Sequence, residues 1–149
     1  MTTTKSLEQL FEIETKMPGI IKKISEITQG GATWGMHWIP QATDSKYLET
    51  DKYCIYATKI DKHQWSEDGG GIEWSGRLTL FYKSKDADTL KRIDTERIVT
   101  RDKYDSKNDK TSLWRFEYVG ITALCDDKIK ASWLDSEGKE GPTYELKLE

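Results

Sequence analysis

His37 is the residue best suited to move a proton. An imidazole titrates near neutrality, and the chain holds only His37 and His63. His37 lies in GGATWGMHWIP, residues 30–40, among Trp34, Met36 and Trp38. Glu73 and Glu117, on other strand-like segments, are carboxylates that could pair with it across a sheet as acid and base. No nucleophile motif accompanies them, so such chemistry would be of cyclase or isomerase type rather than hydrolysis. The plainer reading is a satisfied histidine beside Trp38 that points away from the cavity which Trp34, Met36 and Trp38 are expected to face, and there it has no catalytic part. His63 falls in the polar stretch KHQWSEDGGG and is expected at the surface.

The aromatic residues support a different chemistry, the holding of a small molecule. Read as one strand, residues 33–39 place Trp34, Met36 and Trp38 on one face and His37 on the other. In GIEWSGRLTLFY the face carrying Trp74 also carries Ile72, Gly76, Leu78, Leu80 and Tyr82, with Arg77 opposite. In SLWRFEYV, Trp114, Phe116 and Tyr118 alternate with Arg115 and Glu117. A further strand offers Tyr53, Ile55 and Ala57 or Cys54, Tyr56 and Ile60, and another offers Ile129, Ala131 and Trp133. These faces form a packed core or line a cavity, since large flat rings fill space less well than aliphatic groups and keep a polar atom for a partner. Arg77 and Arg115 face water in the plainer reading. Pointed inward, they would suit a carboxylate or phosphate on an otherwise apolar ligand.

Other chemistries find little support. Two histidines and two cysteines 71 positions apart do not have metal-ligand spacing, so no metal or cofactor is expected. GGGIEWSG runs into a strand, not into the helix start that cradles phosphate. DSKNDK lacks the glycine and terminal glutamate of a calcium loop. The net charge of −3 and the acids interspersed along the strands argue against nucleic acid and anionic membranes as partners. The N-terminus is polar and no apolar run approaches a signal or membrane segment, so a cytoplasmic protein is expected. Cys54 and Cys125 then read as buried free thiols, with their pairing left open.

The elements that must position these groups follow from periodicity. Ser6 and Gln9 form a capping box before Leu7, Leu10, Phe11 and Met17, and Pro18-Gly19 precedes a stripe of Ile20, Ile21, Ile24 and Ile27. This helical segment, residues 6–29, should pack on the strands or on a second copy of the chain, a homo-oligomer being one of its open outcomes. After Gly31 the period changes to two. The first strand is expected to close at Pro40, Asp44 and Ser45 to lie in a loop, and Gly120 to mark a bulge. The segment LKRIDTERIVTRDKYD reads as one strand or as two joined near Asp94-Thr95. Seven or eight strands at hairpin spacing, without helices between them, predict an all-β antiparallel barrel over residues 32–148 within a single domain, 1–149.

A short N-terminal helix, a tryptophan on the first strand and a meander of strands resemble the calycin plan of lipocalins and fatty-acid-binding proteins. Where lipocalins carry Gly-x-Trp, this chain has Gly31-Ala32-Thr33-Trp34, and its closing strand offers Lys147 where they have an arginine. The resemblance implies a barrel with an internal cavity. The expected function is binding of a small, largely apolar or aromatic molecule there, by Trp34, Met36, Trp38, Trp74, Trp114, Phe116, Tyr118, Arg77 and Arg115. The alternatives are a small barrel enzyme using His37, Glu73 or Glu117, and a carbohydrate-binding or protein-interaction module.

Overall fold

A computed structural model of the chain describes the backbone of residues 2–33, 36–66, 72–102 and 116–149, and the side chains of 9–30, 40, 42–62, 75–98 and 116–149. Among the described residues, two short helices precede nine strands arranged in two antiparallel sheets. Helix α1 spans Thr2–Lys16 and α2 spans Ile20–Ile27. The first helix thus starts ahead of the expected capping box. Between the helices Gly19 takes a left-handed conformation, φ 96°, which suits a residue without Cβ. The Glu14 carboxylate accepts the backbone N–H groups of Gly19 and Ile21 at 2.7 and 2.9 Å, so the end of α1 caps the start of α2.

The large sheet runs β1 (Gly31–Thr33), β2 (Met36–Glu49), β3 (Tyr53–Ser66) and β4 (Ile72–Ser84). Along the outer edge of β4, β5 (Lys91–Asp94) pairs with its second half and β6 (Ile98–Asp102) with its first. The single strand expected over 33–39 is two segments, because Thr33 pairs with Met36 and Ala32 with His37. Pro40 does not end the strand. It lies beyond the short β1, where its missing N–H faces no ladder partner, while Lys62 pairs with it from β3. The expected loop at Asp44 and Ser45 is a continuation of β2 past a bulge between Ala42 and Asp44. KHQW, expected in a loop, extends β3. β5 and β6 are separate strands because Thr95 is drawn onto Leu78: its hydroxyl accepts the Leu78 N–H at 3.0 Å and its own N–H donates to the Leu78 carbonyl at 2.9 Å.

The second sheet is a meander of β7 (Phe116–Cys125), β8 (Lys128–Asp135) and β9 (Glu140–Lys147). Gly120 is in register opposite Ser132, so it marks a close approach, not a bulge; a Cβ there would lie 2.8 Å from Leu134 Cδ1. The expected barrel does not close among the described residues, since no ladder joins the sheets. Where β2 passes β7 the connection is one side chain: Asp44 Oδ2 accepts the Val119 N–H at 2.8 Å.

The large sheet is therefore covered on both faces. Toward the second sheet it presents Ile55, Ala57, Leu78, Leu80 and Tyr82, packed against Val119, Ile129, Ala131, Trp133 and Leu148. Toward the helices it presents Cys54, Tyr56 and Phe81, packed against Ile13, Met17, Ile20 and Ile24. The isoleucine stripe thus packs on the chain's own sheet. Ile13 belongs to the helical seam, whereas Phe11 is 64% exposed. Cys54 is buried and Cys125, expected inside, is exposed; both are free thiols. No helix is long and apolar enough to cross a membrane among the described residues.

Candidate functional site

Between the sheets the described side chains pack against one another. The Trp133 indole reaches over β4 at Gly76, where a Cβ would lie 2.8 Å from its Cη2 atom and 2.9 Å from Asp61 Oδ1. Lys59, almost wholly buried, sets its ammonium 5.6 Å from the Trp133 ring centroid. Its charge is held by Asp61 and by Thr43 Oγ1, the latter at 2.9 Å. Thr43 is the bulged residue of β2, so the bulge supplies one of the ligands of this inward-facing cation.

The helical face is different and carries two clefts. The larger, about 490 Å³, opens between α1 and β2. Leu10, Ile13 and the stem of Lys16 form its helical wall, and Ser45, Tyr47 and Tyr56 its sheet side. These sheet residues align because Tyr47 pairs with Tyr56 and Ser45 with Thr58 across β2 and β3. Tyr56 donates its phenol to Ser45 Oγ at 2.8 Å, and Thr58 Oγ1 donates to the Asp44 carbonyl at 3.3 Å. Burial, together with the Asp44 charge, raises the Tyr56 phenol above its ordinary pKa although the Ser45 hydrogen bond opposes this. The buried Tyr47 hydroxyl sits near Cys54 and Glu49 without a well-formed hydrogen bond to either. Burial, then the thiol and the carboxylate, push its pKa far up, so it stays a neutral donor.

A cluster of charges adjoins this cleft through Lys16, which lines it. Glu49 accepts Lys16 Nζ at 2.9 Å and Lys85 Nζ at 3.2 Å, which hold its carboxyl down at about 2. Lys16 also lies 5.5 Å from the Tyr47 ring centroid. The last turn of α1 is thereby tied to the end of β2.

The smaller cleft, about 360 Å³, lies below the C-terminal end of α2. Ile27, Pro40 and Ile60 make its apolar wall, and Arg77, Arg92 and Arg97 its charged one. Arg77 points toward the helices, half-buried, with Nη1 3.5 Å from Asp94.

Several residues expected at a site lie outside the described residues: Trp34, Trp114 and Arg115 altogether, and Met36, His37, Trp38, Glu73 and Trp74 in their side chains. Of the others, Phe116 packs partly buried on the inter-sheet core, while Glu117 and Tyr118 are exposed. Phe116 and Tyr118 were expected on one face, but a bulge between them turns Tyr118 outward and Val119 inward. Arg77 is the one expected ligand-binding residue seen to line a cleft. The two tyrosines of the larger cleft and the arginines at 92 and 97 were not expected there. Tyr56 was signalled by the period-two alternation of KYCIYATKI and the arginines by the run KRIDTER, whereas Tyr47 lies in DSKYLE, which read as loop; their convergence depends on strand register.

Among the described residues no group of three or more His, Cys, Asp or Glu side chains could hold a metal ion. No family model matches the chain, and neither known proteins nor solved structures show a significant match to it. Its class rests on its own geometry, a mostly-β chain of two antiparallel sheets with a two-helix layer.

Proposed function

We propose that this protein binds a small, largely apolar or aromatic molecule in the cleft between α1 and β2. The observation that carries the reading is the cleft itself. Its volume of about 490 Å³ is of ligand size, and it is floored by two tyrosines whose rings offer apolar surface, with Ser45, Lys16 and Lys46 in the lining for polar contacts. The Tyr47 hydroxyl is itself shielded from solvent, so the ring is the part of that residue offered to a ligand. A calycin-type lumen would instead lie between the two sheets, where Trp133 and its neighbours are packed. The helical cleft is the better location for the same class of ligand.

Native mass spectrometry of freshly purified protein should reveal a co-purifying small molecule. Independently, the neutral dye N-phenyl-1-naphthylamine should bind saturably with a rise in fluorescence. Tyr47→Ala should weaken that binding about tenfold or more, through lost ring contact. Absence of saturable binding overturns the reading, as does equal binding by a Tyr47→Ala protein whose circular dichroism is unchanged.

A further inference from the structure

We propose that the arginine-lined cleft under the end of α2 binds the anionic end, phosphoryl or carboxylate, of a small organic molecule. This site is distinct from the α1–β2 cleft and does not depend on it. The argument begins with register. On the edge of β4, Asp94 of β5 pairs with Thr79, and Ile98 of β6 pairs with Gly76. Arg77 therefore faces the break between β5 and β6, and that break carries Arg92 before it and Arg97 after it. The Thr95 clamp on Leu78 holds the break in place. Three guanidinium groups from three places in the chain thus line one concave space.

Their hydrogen-bonding capacity is mostly unspent. Asp94 takes Arg92 Nε at 3.0 Å and Arg77 Nη1 at 3.5 Å, and its Oδ1 also accepts the Thr79 hydroxyl at 2.8 Å. Each guanidinium has five N–H donors in a planar fork, so Arg77 and Arg92 keep most of theirs. Arg97 has no hydrogen-bond or ion-pair partner among the described residues. Lys62 adds a fourth cation to the lining, and Glu26 is the only carboxylate in it among the described residues. A cationic recess of this kind, in a chain whose net charge is −3, is a local reversal of the overall sign.

The shape and the walls select the ligand. About 360 Å³ is too small for a macromolecular groove and suits a small molecule. Arginine forks match phosphoryl and carboxylate oxygens bidentately, while Ile27, Pro40 and Ile60 provide an apolar wall for the body of the ligand. An anion there would bridge Arg97 to the Asp94-bound pair.

Phenyl phosphate and benzoate, titrated by calorimetry at low ionic strength, test this directly, with phenol as the uncharged control. Phenyl phosphate, benzoate or both should bind saturably and phenol should not. The tighter of the two anions identifies the head group. Arg97→Gln, an exposed position whose loss removes no described contact, should weaken binding about tenfold, and Arg92→Gln comparably. Tyr47→Ala should leave this binding unchanged, which separates the outcome from that of the tyrosine cleft. The proposal is overturned if neither anion saturates by about 10 mM. It is overturned equally if Arg97→Gln and Arg92→Gln bind as the parent does, or if phenol binds as well as phenyl phosphate.

Discussion

The two faces of the large sheet are built from the same three long strands, yet one is sealed and the other is not. Sheet on sheet, two pleated surfaces pack face to face, and Trp133, Leu78, Leu80 and Ile129 are fully buried. Helix on sheet, the coverage is too short. A strand of 14 residues such as β3 reaches about 46 Å. The 15 residues of α1 reach about 22 Å and the 8 of α2 about 12 Å. The helices bury the middle of the face through Met17, Ile20 and Phe81 and leave a cleft on either side. Binding surface here is a consequence of mismatched element lengths, and the sealed face supplies the rigidity that holds it.

Trp133→Ala should be the most damaging single change. It deletes a fully buried indole that both sheets pack against and uncovers the Lys59–Asp61 pair. We expect a loss of about 3–5 kcal/mol in chemical denaturation, with both clefts lost as the sheets loosen. A loss below about 1 kcal/mol would mean that the interface does not hold the fold together. Ile24→Asp attacks the other face, at a helical residue 9% exposed in the seam with Cys54, Tyr56 and Phe81. It should cost about 2–4 kcal/mol and abolish dye binding in the tyrosine cleft, because the helices form that cleft's wall. Retained near-ultraviolet dichroism from Trp133, alongside lost binding, would sharpen the contrast between the faces. Dye binding that survives helix undocking would break it.

Much of this was legible in the sequence. Period-two alternation marks most of the strands, and the face of Leu78, Leu80 and Tyr82 is the buried one it predicts. The isoleucine stripe of α2 also packs as its spacing requires. That the strands form two sheets and do not close was not legible, because the approach of β2 to β7 is marked by a contact, Asp44 to Val119, between residues 75 positions apart. Nor could alternation reveal that both faces of the sheet are covered. Phe81 and Thr79 are buried on the face of Arg77, where solvent-facing residues were expected. Bulges between Ala42 and Asp44 and between Phe116 and Tyr118 each invert the side-chain faces beyond them, and no local signal announces either. The arginine cleft was half visible. Arg77 was a recognisable candidate for an anion, but its partners Arg92 and Arg97 reach it only through the split of β5 from β6.

The tie between α1 and β2 on the helical face is electrostatic, and its pH dependence follows from the charges. Glu49 has its pKa lowered from 4.5 to about 2 by Lys16 and Lys85, so its contribution is full above pH 4.5 and is lost as pH falls through about 2. Lys16 is shifted the other way, above 10.5, so its share is present below that pH and disappears only in strong alkali. Both side chains are more than a third exposed, and water and salt screen them. Glu49→Gln should therefore lower the melting temperature by only about 1–2 °C at pH 7. That difference should shrink between pH 4.5 and 2 and in high salt. The same substitution should loosen the last turn of α1 from β2 and weaken dye binding in the tyrosine cleft, while phenyl phosphate binding under α2 stays as it was. A melting difference that is constant from pH 7 to pH 2 would show that Glu49 acts through packing, and the helical face would then be held as the sealed face is, by contact and not by charge.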